Sequence, residues 1–351
     1  MMKDFNLNNL LRENIKTIAP YSSARDEYKD ITDGMVFIDA NENPFNTGVN
    51  RYPDPQQTKL KVRLSELKEV STDQILLGNG SDEVLDLIFR AFCEPNKDKV
   101  ITLPPTYGMY NVLANLNAVE NIEILLNNNF QPDKDEIART AHPQTKLLFL
   151  CSPNNPTANS FDADDIAWLI EDFQGIVVID EAYIDFSKQE SWISRLNEFP
   201  NLIVTQTLSK AYGLAGIRLG ICYASAEIIS VLNKIKPPYN VNQLTQDKAL
   251  ERLNTIHKVN EEVDQVLSER KKLRNALKSI SIVEKVYKSD ANFILVKVDD
   301  ANKRYQQLVE KGIVVRNRTN QPLCENCLRF TVGRESENKK LIETLQSISK
   351  S

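Results

Sequence analysis

Residues 207–220 read Thr-Leu-Ser-Lys-Ala-Tyr-Gly-Leu-Ala-Gly-Ile-Arg-Leu-Gly, and Lys210 sits among the small residues Ser209, Ala211, Gly213, Ala215 and Gly216. Small neighbours let a bulky ligand approach the backbone. A lysine amine that loses its charge on desolvation is a nucleophile, able to condense with an aldehyde to form an imine. Earlier in the chain, Asp180-Glu181-Ala182-Tyr183 follows the apolar run Ile176-Val177-Val178-Ile179. A carboxylate at the end of such a strand can hold a ring nitrogen protonated. Ser209 and Arg218 can grip a phosphate, the arginine through charge-assisted donors. Each residue also has an ordinary use, Lys210 as a surface cation and Asp180 as a turn or helix cap. Together, an amine for an aldehyde, an acid for a ring nitrogen and a phosphate grip are the three tasks set by pyridoxal phosphate.

Other segments fit the same ligand. Gly78-Asn79-Gly80-Ser81-Asp82-Glu83 opens a helix. The dinucleotide fingerprint fails there because Glu83 stands where its third glycine belongs. A free helix N-terminus still offers N–H groups and a positive dipole end to a phosphate. Gly80, Ser81 and Asp82 are therefore expected to complete the phosphate cup through their backbone, with the Asp82 and Glu83 side chains turned away. Tyr183 and Asn155, the latter in Pro153-Asn154-Asn155-Pro156-Thr157, can reach the phenolic oxygen of the ring. Tyr107, in Pro104-Pro105-Thr106-Tyr107-Gly108, can stack on its face. Cys324-Glu325-Asn326-Cys327 has too few ligands for structural zinc, the chain holds two histidines, and no metal is expected.

These residues need a scaffold that gathers them. Short apolar runs predict strands at 74–77, 100–103, 122–126, 146–150, 176–180, 202–205 and 218–222, alternating with helical patterns such as 83–92 and 163–173. That alternation predicts an α/β fold with a mostly parallel, doubly wound sheet, in which ligands bind beyond the carboxyl ends of the strands. Each candidate motif follows such a strand. Lys236-Pro237-Pro238-Tyr239-Asn240 breaks the chain. A long helical stretch at 243–278 comes next, then strands at 282–287, 293–298, 313–316 and 328–332, a helix at 301–311 and a closing helix. The expected organisation is an arm at 1–44 packed on the small domain, a large ligand-binding domain at 45–240 and a smaller α+β domain at 241–351.

Composition narrows the function classes. The 351 residues suffice for one large or two medium domains, and a formal charge of −5 excludes a basic nucleic-acid footprint. No apolar run reaches membrane-spanning length, and Met1-Met2-Lys3-Asp4-Phe5-Asn6 has no apolar signal core. Five cysteines read as reduced thiols, which places the chain in a cytoplasm.

Asp180–Tyr183, Ser209-Lys210, Arg218 and Asn155-Pro156-Thr157 resemble the aspartate-aminotransferase-like (fold type I) pyridoxal phosphate enzymes. Asp39-Ala40-Asn41-Glu42-Asn43-Pro44, Arg51-Tyr52-Pro53, residues 78–83 and Cys327-Leu328-Arg329-Phe330-Thr331-Val332-Gly333 resemble the histidinol-phosphate aminotransferase subgroup. The resemblance implies a homodimer with active sites at the subunit interface, Tyr52 reaching the cofactor phosphate of the partner subunit. It implies that Arg316 and Arg329 meet the substrate's anionic end, with Tyr21 and Asn43 beside them. The implied reaction passes an amino group between histidinol phosphate and 2-oxoglutarate. A threonine-phosphate decarboxylase and an aromatic amino acid aminotransferase are the alternatives on the same fold. Ala158 stands where the subgroup usually has glycine, so a positive φ there would be strained.

Overall fold

The computed structural model describes residues 5–20 and 35–350. Its larger sheet has seven strands: β1 (Ile75–Asn79), β2 (Lys99–Thr102), β3 (Glu120–Glu123), β4 (Thr145–Cys151), β5 (Ile176–Asp180), β6 (Leu202–Thr207) and β7 (Leu219–Ala224). They lie in the order β1-β7-β6-β5-β4-β2-β3. Neighbours from β6 to β3 are parallel, whereas β7 runs antiparallel to both β6 and β1. β4 to β7 are buried almost throughout, which is why they read as continuous apolar runs. The helices are α1 (Glu13–Thr17), α2 (Thr58–Lys68), α3 (Ser81–Phe92), α4 (Met109–Leu116), α5 (Lys134–Thr140), α6 (Ala163–Asp172), α7 (Ala226–Ile235), α8 (Gln243–Leu253), α9 (Ile256–Leu277), α10 (Ala301–Glu310) and α11 (Glu335–Ile348).

Alternate side chains of the strands feed two cores. Leu76, Val100, Leu147, Phe149, Val178 and Ile203 pack under α3 and α7. Leu77, Ile101, Leu148, Leu150, Val177 and Val204 pack towards α6 and the second sheet. That sheet is antiparallel, in the order β10-β11-β9-β8, with β8 (Val283–Val286), β9 (Phe293–Val298), β10 (Arg316–Asn317) and β11 (Cys327–Thr331). Its Phe293, Leu295 and Cys327 join the core of the large sheet. Its Ile294, Val296, Leu328 and Phe330 turn the other way, onto α9, α10 and α11.

Three expectations are corrected. The helical stretch at 243–278 is two helices, although neither Gly nor Pro interrupts it. α8 buries Ala249 and Leu253 against the large unit, while α9 buries Leu273 and Leu277 against the second sheet, so the chain must turn between them. The strand expected at 313–316 begins only at Arg316, because Gly312 ends α10 at φ +74° and Val314 is exposed. The first described stretch of the arm packs elsewhere than expected. Leu7, Leu10, Leu11 and Ile15 are buried beside α3 and α7 of the large unit, not on the small one. Each such apolar burial contributes about 1.5–3 kcal/mol.

The antiparallel placement of β7 decides where the chemistry sits. The chain leaves β6 at the edge where the parallel strands end, and β7 starts from that same edge. The connection 208–218 thus holds Lys210 and Arg218 together above the sheet, its ends fixed by the pairing of Thr207 with Gly220. Gly220 also lies against the start of α3: a Cβ added there would stand 2.4 Å from the backbone atoms of Gly80 and Ser81. Backbone cannot yield as a flexible side chain can, so Gly220→Ala is expected to lower stability by about 1–3 kcal/mol. Thermal unfolding checks this, and an unchanged melting temperature would contradict it.

Candidate active site

The N-terminus of α3 is built to accept an anion. Its N-cap, Gly80, has φ +82° and supplies no side-chain cap, whereas Asp162 caps α6 by accepting from the N–H groups of Asp164 and Asp165. The first N–H groups of α3 are left for a ligand. Arg218, itself at φ +56°, lays its guanidinium across this turn. A Cβ at Gly80 would come 2.6 Å from Arg218 Nη2, so a side chain there would push the arginine out. Thr207 Oγ1 and Ser209 Oγ meet at 3.0 Å on the opposite rim. The acidic residues of this turn are held. Glu83 accepts from the Asn79 N–H and from Asn240 Nδ2, and points away as expected. Asp82 stays on the rim, accepting from Tyr107 Oη at 3.0 Å and lying 3.5 Å from Arg218 Nη2.

Asp180 ends β5 and is almost fully buried, 4% exposed. Tyr110 Oη donates to its Oδ2 at 2.7 Å and the Ala182 N–H to its Oδ1 at 3.0 Å. Burial raises the carboxyl pKa, and these two donors and Lys210 oppose the rise. A cation set opposite would favour the carboxylate further. Tyr110 was not singled out from the sequence. It occupies an apolar position of α4 beside Leu113 and Ala114, stacks on Phe149 at 4.8 Å and reads as core until the fold brings its hydroxyl to β5.

Lys210 Nζ stands 5.6 Å from the centre of the Tyr183 ring. The residue is exposed in area because its amine faces an open crevice, yet the surrounding protein desolvates it. That desolvation, then the Arg329 cation, lowers its pKa from the usual lysine value. Asn155 receives a hydrogen bond from Arg329 Nη1 on its Oδ1, which leaves its Nδ2 donors for a ligand. The bond ties the turn after β4 to β11. The same turn carries Ala158, fully buried at φ +68°. The left-handed backbone is thus kept with alanine in place of glycine, at about 1–2 kcal/mol.

Nine of the singled-out residues line one cavity: Ser81, Asp82, Tyr107, Asn155, Asp180, Tyr183, Ser209, Lys210 and Arg218. Gly80 lies under Arg218 at its edge. Arg329 borders it through Asn155, and Arg316 pairs with Arg329 across the strands. Tyr52 and Asn43 lie outside the cavity of their own chain. Tyr52 is half-exposed and stacks on Tyr239 at 4.5 Å, while Asn43 Oδ1 accepts from the Phe45 N–H at 2.9 Å. Between them Glu42 binds Arg51 at 2.6 Å and the Tyr52 N–H at 2.7 Å, so this acidic motif braces the loop that presents Tyr52. Tyr21 lies outside the described residues. Arg318 was missed as well, although the alternation Arg316-Asn317-Arg318 puts two arginines on one strand face.

Residues 32–345 match the family Aminotransferase class I and II. The chain belongs to that family and is a pyridoxal-phosphate-dependent transaminase of fold type I. It is 62% identical over 347 residues to the histidinol-phosphate aminotransferase of Flavobacterium psychrophilum, covering 99% of this chain and 100% of that one. Among solved structures it is similar to the histidinol-phosphate aminotransferase from Clostridium acetobutylicum, with TM-score 0.80, 23% identity, and 86% and 92% of the two chains covered. The enzyme from Sinorhizobium meliloti in complex with pyridoxal-5'-phosphate gives TM-score 0.78 at 21% identity, over 86% and 83%.

The residues present fit pyridoxal phosphate. An uncapped helix end under an arginine suits the phosphate, a buried carboxylate suits a protonated ring nitrogen, and a lysine with lowered pKa suits the aldehyde. Tyr110→Phe removes a donor that favours the ionised form of Asp180, so the carboxyl pKa should rise. Activity that needs the carboxylate should then begin at higher pH, and the acid limb of the kcat/KM profile is expected to move upward. An acid limb that stays in place would show that Tyr110 does not support the charge.

Proposed function

We propose that the enzyme moves an amino group between L-histidinol phosphate and 2-oxoglutarate, giving imidazole acetol phosphate and glutamate, a step of histidine biosynthesis. The observation that carries this reading is Arg329, bonded to Asn155 at the cavity edge and facing Arg316, with no α-carboxylate partner required of the phosphorylated substrate. The identity of 62% over nearly the full length to an enzyme of that name supports it.

When bound, pyridoxal phosphate supplies a ring that withdraws electrons from the substrate α-carbon. The chain's residues do the rest. The N–H groups at the start of α3, Ser209 and Arg218 would hold the phosphate. Asp180, kept charged by Tyr110 and Ala182, would hold a proton on the ring nitrogen. Asn155 and Tyr183 would donate to the phenolic oxygen, and Tyr107 would cover the ring. Lys210 Nζ, made less basic by its surroundings, would take the α-carbon proton and deliver it to the other side of the transfer. A positioned base of this kind is worth about 10²- to 10⁴-fold in rate. Arg329 would grip the substrate anion in both halves of the cycle, since a planar fork reads phosphate and carboxylate alike.

The same reading makes the enzyme a homodimer with shared sites. Val49, Tyr52 and Leu244 border one cavity, and Ile38 (90% exposed) and Phe45 (78%) are further exposed apolar residues of the preceding segment. Patches of this kind mark association surfaces. Five buried, unpaired cysteines accord with a cytoplasmic setting, and among the described residues no helix is long and apolar enough to cross a membrane.

Incubation with histidinol phosphate and 2-oxoglutarate is expected to yield glutamate, with Lys210→Ala as the inactive control. Carbon dioxide released from a phosphorylated amino acid, without glutamate, would favour the decarboxylase instead. Arg329→Lys should raise KM for both substrates by about tenfold, through loss of the bidentate fork. One unaffected substrate would sink the shared-grip assignment. For the dimer, Lys210→Ala and Tyr52→Ala subunits are each expected to be impaired. Mixed and refolded together they should regain roughly a quarter of wild-type activity, because half the dimers carry one intact site. No recovery would argue against sites shared between subunits.

A further inference from the structure

Among the described residues, the Arg318 side chain has no salt-bridge or hydrogen-bond partner that explains its position. Its N–H donates to the Cys327 carbonyl at 2.8 Å and so extends the β10–β11 ladder by one step. Side chains two apart on a strand share a face, which sets Arg318 beside Arg316, and Arg316 is paired directly with Arg329. That face looks towards Asn155 and Tyr183. Arg329 bonds Asn155, and the charges of Arg329 and Arg318 both act on the Tyr183 phenol. No carboxylate among the described residues forms a salt bridge with any of the three arginines, whereas Arg51, Arg195, Arg252 and Arg304 each have one. Among the described residues, the Nε atoms of Arg318 and Arg329 are both buried without a hydrogen-bond partner. Burial and mutual repulsion lower the pKa of Arg318 and push that of Arg329 down to about 10.

Like charges gathered with unmet donors are unfavourable unless an anion enters among them. One carboxylate does not need all three. It brings one charge and two oxygens, and the Arg329 fork alone can satisfy them. A phosphate monoester brings up to two charges and three terminal oxygens. Arg316 is exposed, while Arg318 is half-buried and near enough for its charge to act on the Tyr183 phenol.

We propose that Arg318 is a substrate-selecting residue, the guanidinium that takes the third oxygen and second charge of a phosphate ester and is left idle by a carboxylate. The inference rests on the reaction proposed above. Arg318 thereby separates the two substrates that share Arg329, tightening the phosphorylated amine without tightening 2-oxoglutarate in step.

The test compares the holoenzyme with its Arg318→Gln and Arg318→Lys variants, measuring KM and kcat for each substrate and inhibition by inorganic phosphate. Arg318→Gln is expected to raise KM for histidinol phosphate about tenfold or more, while kcat changes little and KM for 2-oxoglutarate moves by less than about threefold. Inorganic phosphate should become a weaker inhibitor in parallel. Arg318→Lys should recover part of the loss, because charge returns without the fork, and it carries the test if the Gln variant does not fold. An equal rise for both substrates, or undiminished phosphate inhibition, would overturn the assignment. Wild-type enzyme that leaves histidinol phosphate untouched would overturn the proposed reaction; turnover with unaltered selectivity in the variants would overturn this inference alone.

Discussion

A carboxylate buried at the end of the central strand is the constraint that organises this molecule. Asp180 sits where β5 meets the crevice, and desolvation there works against its charge. The fold answers with Tyr110 from α4 and with the N–H of Ala182 in the turn that follows. The Tyr110 ring is in turn fixed between Tyr107 and Phe149. The carboxylate therefore draws α4, β4 and β5 into one arrangement. It would also set the orientation of a bound ring nitrogen, and with it the places left for the phosphate and for the lysine. Charge, rather than apolar packing, fixes the centre of the site.

Around that centre the work is divided between two sheets. The larger one carries the cavity-lining groups that would touch the cofactor, at the end of β5, on turns following β1, β2, β4, β5 and β6, and just before β7. The smaller one carries the arginines that would face the substrate, on β10 and β11 and just beyond β10. The bond from Arg329 to Asn155 links the two. In the proposed reading, cofactor chemistry and substrate recognition would thus be held by separate hydrogen-bond ladders that meet at one amide.

Much of the first part was legible in the sequence. Asp180 and the residues near Lys210 flank strands that are buried on both faces, so their apolar runs announce both the strand and its end. Small residues around Lys210, and a glycine turn before α3, mark places where backbone must approach a ligand. Tyr110 was hidden because its ring behaves as core and only its hydroxyl serves the site. Arg318 was hidden because one arginine in a polar loop looks like any other until pairing aligns it with Arg316 and Arg329. The break between α8 and α9 left no Gly or Pro signal, since different packing partners on either side make the turn. The arm had apolar residues but no pattern that named the surface receiving them.

The reversal of β7 carries one more consequence. Lys210 and Arg218 ride on a single connection whose two ends are locked into neighbouring strands. One residue inserted or deleted there would slide the amine out of phase with the guanidinium, even if every strand still paired. Among related chains this stretch should keep a constant span while its individual side chains drift, in contrast to surface loops, whose lengths wander freely.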